Sequence, residues 1–210
     1  METTDRNKHW ENIYRTKEVH ECSWYQPTPT TSLYFFKHLN IPVTASVIDV
    51  GGGDGFLVDH LLDVGYRDIT VLDISASAIE RAKTRLAERA ALVKWIVADA
   101  ALFIPDTTYD VWHDRAAFHF LTSGIDISHY VETVGRHINP AGVLILGTFS
   151  EQGPKKCSGI DIKQYSESTM TNLLNDSFEK IECMTIDHAT PFGTTQNFLF
   201  CSFRKRDVVT

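Results

Sequence analysis

Short runs of β-branched and aliphatic residues alternate along the chain with longer stretches whose apolar positions recur at helical spacing. That alternation is the pattern of strand–helix–strand units carried on a parallel sheet. Ser46–Val50 and Ile69–Asp73 read as the first two strands, joined by a helix from Phe56 to Val64 that Gly65 ends. Ala76–Glu88 consists of good helix formers, with Ser75 placed to cap them. Val93–Val97 and Tyr109–His113 are the third and fourth strands. A helix is expected over Ile127–His137, broken by Asn139-Pro140-Ala141-Gly142. Val143–Leu146 follows as a wholly apolar fifth strand, as a parallel strand covered on both faces tends to be.

The pattern then changes. Ser166–Leu174 reads as a helix, and Phe178–Ile186 and Gln196–Phe203 as two long strands around a connection containing Pro191 and Gly193. Strands joined so closely pair antiparallel, so the sheet is predicted to end in a hairpin. Residues 5–39 suggest two helices ahead of the first strand. The expected fold is α/β: a Rossmann-like, seven-stranded, mostly parallel sheet with a C-terminal antiparallel hairpin strand and helices on both faces. One domain is expected, with residues 1–40 as a helical, aromatic segment packed on a core formed by 41–210.

Composition narrows the function. Of 210 residues, 43% are hydrophobic and 22% charged, the balance of a globular chain. A formal charge of −7 repels a phosphate backbone, which disfavours a general nucleic-acid binder. No apolar run approaches the roughly 20 residues of a membrane helix, and the start of the chain lacks a secretory pattern. Cys22, Cys157, Cys183 and Cys201 are scattered without a C-x-x-C pair, and read as four free thiols in a reducing compartment. A cytosolic location is the expectation.

The candidate chemistry centres on Asp49-Val50-Gly51-Gly52-Gly53-Asp54-Gly55, directly after the first strand. Glycines there let the backbone turn sharply and approach a ligand, and the helix behind offers oriented N–H donors. A dinucleotide fingerprint needs glycine where Phe56 stands, which disfavours a nicotinamide oxidoreductase. The D-x-G-x-G-x-G pattern instead resembles motif I of the class I S-adenosylmethionine-dependent methyltransferases. Asp73 closes strand two, Asp99 follows strand three and Asp114 lies at the end of strand four, in that family's order; the resemblance covers about residues 44–204. It implies S-adenosylmethionine as cofactor, with Gly51, Gly53 and Gly55 in the loop, Asp49 near the methionine amino group and Asp73 on the ribose hydroxyls. It places Asp99 beside the adenine amine, with Ile74, Ala100 and Asp114 completing the set. Two adjacent hydroxyls do suit a bidentate carboxylate, although Asp73 also stands where a helix cap would.

Trp10 and Tyr14 belong to a His9-Trp10-x-x-x-Tyr14 segment that folds over the cofactor in similar small methyltransferases; it serves equally well as a hydrophobic staple onto the sheet. Aromatic faces attract a sulfonium cation. Trp24, Tyr25, Arg115, Tyr165 and His188 are candidates for the acceptor side. His119 has a pKa range suited to a general base, or is a structural histidine. No metal is expected: Cys157 and His188 lack ligand spacing. The resemblance implies methyl transfer to a small-molecule acceptor under the aromatic segment. A protein lysine in an open cleft is the alternative, and a non-catalytic scaffold of the same fold a further one. Oligomeric state is left open.

Overall fold

The computed structural model describes residues 3–207. Helix α1 (Thr3–Thr16) and α2 (Thr30–His38) precede β1 (Val47–Val50); α3 (Leu57–Val64), β2 (Ile69–Asp73), α4 (Ala76–Leu86) and β3 (Val93–Val97) follow. Then come β4 (Tyr109–Arg115), α5 (Gly124–His137), β5 (Ile138–Phe149) and a small hairpin of β6 (Lys156–Cys157) and β7 (Ile160–Asp161). Helix α6 (Glu167–Leu174), β8 (Phe178–Ala189) and β9 (Thr195–Lys205) complete the chain.

Seven strands form one sheet in the order β3-β2-β1-β4-β5-β9-β8. β1 to β5 pair in parallel, and β9 runs antiparallel between β5 and β8. The two-residue period of the strands sorts their side chains onto two cores. Val47, Val71, Val111 and Ile145 face Phe35 and Phe36 of α2 and Leu57 and Leu61 of α3. Ile48, Leu72, Trp112 and Leu144 face Ile127, Tyr130 and Val134 of α5 and Met170 and Leu174 of α6. Strand order reverses between β1 and β4, which opens a crevice at their carboxyl ends.

Three expectations need correction. The break at Asn139–Gly142 lies inside β5: Tyr109 pairs with Ile138 and Val111 with Val143, so four residues loop out and the ladder resumes. Ala141 takes a left-handed φ of 60° there, and the Asn139 amide donates to Asp110 Oδ1 at 2.8 Å. β4 runs two residues past His113, which gives its last side chains strand alternation. Finally, Cys183 and Cys201 are not free thiols. They are register partners on β8 and β9 and form a disulfide, 4.1 Å apart at Cα; Cys22 and Cys157 are free and buried. A sequence separation of 18 across the hairpin hid that juxtaposition in the sequence.

No helix among the described residues is long and apolar enough to cross a membrane. Helix α1 lies against α4: Glu11 accepts from the Ser75 hydroxyl at 2.7 Å and the Ser77 N–H at 3.2 Å, where α4 begins. Trp10, Ile13 and Tyr14 pack with Ala78, Trp24 and Phe120 in a third, aromatic cluster.

Candidate active site

The glycine turn leaves β1 with Gly51 at φ 69° and Gly53 at φ 49°, left-handed values that side chains resist. Space is equally restrictive. A Cβ on Gly51 would meet Ala117 Cβ at 2.5 Å, and one on Gly53 would meet the Tyr14 hydroxyl at 2.8 Å and Asp73 Oδ2 at 3.0 Å. Arg85 of α4 holds the turn from behind, donating to the carbonyls of Asp54 and Gly55 at 2.7 Å each. Asp54 is buried and ion-paired with Arg81 at 3.2 Å; burial raises its pKa.

Beside this turn lies a cavity whose mouth is open to solvent. Asp73 lines it from the end of β2, with Oδ1 accepting the Ser75 N–H at 2.8 Å. Burial pushes the Asp73 carboxyl up to about 7, and the nearby Asp54 and Asp49 add to the rise. Asp99 lines the cavity after β3; its Oδ2 receives Arg6 at 3.0 Å and its Oδ1 the Ala101 N–H at 3.0 Å. Arg6 bridges on to Asp126 at 2.7 Å.

Asp49 on β1 and His113 on β4 are register partners. His113 Nδ1 lies 2.7 Å from Asp49 Oδ1, and His113 Nε2 2.8 Å from the Ser32 hydroxyl of α2. A carboxylate only accepts, so Nδ1 carries the proton, and in the neutral ring Nε2 accepts from Ser32. All three residues line the cavity.

The far wall is aromatic: Trp24, Tyr25, Phe120, Phe149 and Phe198. Arg115 joins it. Burial lowers the Arg115 guanidinium to about 10, so it stays protonated at neutral pH.

Of the residues singled out from the sequence, Asp49, Gly51, Gly55, Asp73, Ile74, Asp99, Ala100, Trp10, Tyr14, Trp24, Tyr25 and Arg115 line this one cavity. Five do not. Gly53 forms the turn beneath it, against Tyr14. Asp114 points to the opposite face of β4, because alternation sends 113 and 115 one way and 114 the other; Tyr130 donates to it at 2.6 Å. It is fully buried and raised to about 6, a structural anchor for the N–H groups of Ala117 and Phe118. His119 is fully buried between Phe120 and Phe149, accepting the Phe149 N–H at 3.3 Å. Burial and the nearby Arg115 lower it to about 3, which leaves no general base at that position. Tyr165 is buried against Phe118, and burial raises its pKa. His188 stands behind the wall, 2.7 Å from the Ser23 carbonyl and 3.2 Å from the Gln26 amide, bracing the 23–26 loop.

Arg6, Ser32 and His113, with Phe120, Phe149 and Phe198 of the wall, are among the cavity residues that sequence reasoning missed. Arg6, Trp10 and Tyr14 fall at i, i+4 and i+8, one face of α1, which is a usable signal. Ser32 gave none. Among the described residues no group of three His, Cys, Asp or Glu is placed to hold a metal.

Residues 47–142 match the methyltransferase domain family. An uncharacterized methyltransferase of Mycobacterium tuberculosis is 33% identical over 108 residues, 50% of this chain and 51% of that protein. The eEF1A lysine and N-terminal methyltransferase of Bos taurus is 30% identical over 108 residues, 51% of this chain and 15% of its own length. The chain thus spans about half the length of the first, and less of the second. In fold it is similar to the 1,6-didemethyltoxoflavin-N1-methyltransferase of Burkholderia thailandensis, solved with its acceptor and S-adenosylhomocysteine. The TM-score is 0.76 at 18% identity, covering 97% of this chain and 88% of that one. The N-methyltransferase NodS of Bradyrhizobium japonicum gives 0.66 at 18% identity, covering 86% and 98%. Residues 47–142, a little under half of the chain, thus carry a match to the methyltransferase domain family, and the fold around them is the one these solved methyltransferases share.

Proposed function

We propose that the protein transfers a methyl group from S-adenosylmethionine to a small-molecule acceptor. The observation that carries this reading is the Asp73 carboxylate, presented to the cavity beside a glycine turn that a single Cβ would block. The residues fit the cofactor. Asp73 would offer acceptor oxygens to a ribose diol, Asp99 and Ala100 would flank the base, and Asp49 would take the amino-acid end; all four line the cavity. When bound, the cofactor supplies an electrophilic methyl on a sulfonium.

The chain's own contribution is alignment and exclusion of water. Trp10, Tyr14, Trp24 and Phe120 close the cavity with aromatic faces suited to a cation. In this reading residues 1–40 form the cover over a methyltransferase domain of 41–210; Met1 and Glu2 lie outside the described residues. The Asp49–His113–Ser32 chain keeps the imidazole oriented, with its Nδ1–H directed at Asp49. With His119 sealed away, proton removal is left to the acceptor's own acidity or to solvent.

A protein lysine is the weaker reading, because a protonated Arg115 in the acceptor wall repels an ammonium group. A scaffold role is disfavoured by the intact turn. The proposed setting is the cytosol, where Cys22 and Cys157 stay reduced; the Cys183–Cys201 bond is the observation that pulls the other way.

Titration calorimetry with S-adenosylmethionine, S-adenosylhomocysteine and NAD tests the proposal. Micromolar binding of the first two and none of NAD is expected. No binding of either sulfur nucleoside overturns it.

A further inference from the structure

The two arginines lining the cavity are treated differently by the fold. Arg6 has two carboxylates, Asp99 and Asp126, at 2.7–3.0 Å. Arg115, further down the wall, forms no ion pair among the described residues. Of its five N–H donors one is used, Nη2 donating to the Trp24 carbonyl at 3.1 Å. Its guanidinium carbon stands 5.8 Å from the centre of the Phe198 ring, a weak cation–π contact. The carboxylate whose field reaches it is Asp49, and that group is already occupied by His113 at 2.7 Å. The titratable groups on its other sides, His119 and His188, are lowered by burial and by Arg115 itself, so neither offers it a counter-charge.

Arg115 is half-buried, and a charge partly withdrawn from water without a counter-charge is costly, a cost that an anionic ligand would offset. An arginine is the residue for that purpose when the ligand is planar and carries two acceptor oxygens, since its fork meets a carboxylate through paired N–H bonds. Arg115 meets Trp24 and Phe198 directly, and the same cavity is lined by Tyr25 and Phe149. Strand alternation points Arg115 to the same side of β4 as His113, so it faces the space beyond Asp49.

We propose that Arg115 is the specificity-determining residue for an acceptor that carries a carboxylate on an aromatic or otherwise apolar body. This rests on the methyltransferase reading of the same cavity. The carboxylate is an anchor, and the methylated atom lies elsewhere on the acceptor or is one of its two oxygens. Either way the guanidinium selects anionic acceptors over neutral and cationic ones of the same shape.

The test is calorimetry on the full chain saturated with S-adenosylhomocysteine, using benzoate, phenylacetate and indole-3-acetate as probes against their neutral amides. At least one carboxylate is expected to bind ten-fold or more tighter than its amide. Arg115→Gln should abolish that preference, and Arg115→Lys, which keeps the charge and loses the fork, should retain part of it. Thermal melts establish that each variant is folded; if Arg115→Gln is not, Arg115→Lys decides alone, by a preference reduced at least three-fold.

Equal binding of acids and amides, or binding of none of the three acids, overturns the proposal. So does a variant that loses affinity for S-adenosylhomocysteine but not for 5′-methylthioadenosine, which lacks the amino-acid carboxylate. The guanidinium would then hold the cofactor. Failure of the unaltered protein to bind S-adenosylhomocysteine at all removes the methyltransferase reading instead, a result separate from these.

Discussion

His113 Nδ1 and Asp49 Oδ1 lie 2.7 Å apart across β1 and β4, both buried, at the point where the strand order reverses. The pair fixes one imidazole nitrogen, and Ser32 of α2 engages the other at 2.8 Å. Replacing His113 by Ala strands a buried carboxylate and a buried hydroxyl. The cost expected is roughly 1–3 kcal/mol, the scale of an unmade buried hydrogen bond. Chemical denaturation measures it, and a cycle with Asp49→Asn should show the two losses to be less than additive.

Asp73 gives a pH dependence. Its carboxyl is raised to about 7, so at pH 6 the empty site is mostly protonated. Ribose hydroxyls donating to it favour the ionised form and lower that pKa. Binding of S-adenosylhomocysteine at pH 6 should therefore release a proton, and affinity should rise with pH and level off above about 7. Calorimetry in buffers of different ionisation enthalpy reads the proton directly. Asp73→Asn should weaken binding by roughly 1–3 kcal/mol and flatten the profile.

Gly53→Ala is expected to be damaging beyond its single methyl. The left-handed backbone costs about 1–2 kcal/mol for any L side chain, and the new Cβ meets the Tyr14 hydroxyl and Asp73. A lowered melting temperature together with weakened S-adenosylhomocysteine binding is the expected outcome. Gly65→Ala is the control: it shares a positive φ, yet nothing lies within 4 Å of its Cβ and it is far from the cavity lining.

His119 contributes acid lability. Its folded pKa, about 3, lies below its ordinary value of 6.5, so as pH falls through 6.5 the unfolded chain gains a proton that the folded one does not. Stability from this group is full above 6.5 and declines as pH falls toward 3. His119→Leu should make stability less steep between pH 6.5 and 4 in urea titrations, with methyl transfer at neutral pH read separately.

The Cys183–Cys201 bond closes a loop of 18 residues in sequence separation. Chain-entropy arguments give about 3 kcal/mol for a loop of that size. A reductant should lower the denaturation midpoint accordingly, and a Cys183→Ala, Cys201→Ala protein should show the lower value with or without reductant.

Short β-branched and apolar runs with glycine punctuation made the seven strands legible in the sequence, five as parallel and the last two as an antiparallel hairpin, because those signals are local. Asp73 and Asp99 were legible from their places after successive strands. The groups that finish the site were not. His113 is legible as the end of the fourth strand but not as part of the site, because its partner Asp49 lies 64 residues away. Asp114 and His119 were chosen by type and position, yet one residue of alternation decides whether a side chain on β4 meets the cavity or the core. The cross-strand cysteine pair depended on hairpin register, which composition does not carry.

Arg6, Trp10, Tyr14, Trp24 and Tyr25 all come from chain ahead of β1, outside the 47–142 domain match, yet supply much of the cavity's lining. Much of the aromatic lining is thus encoded ahead of the sheet, while Arg115 lies within it. The first forty or so codons can drift while the sheet and its glycine turn stay under their own constraint, and grafting that segment between relatives would change the aromatic cover but leave the guanidinium in place.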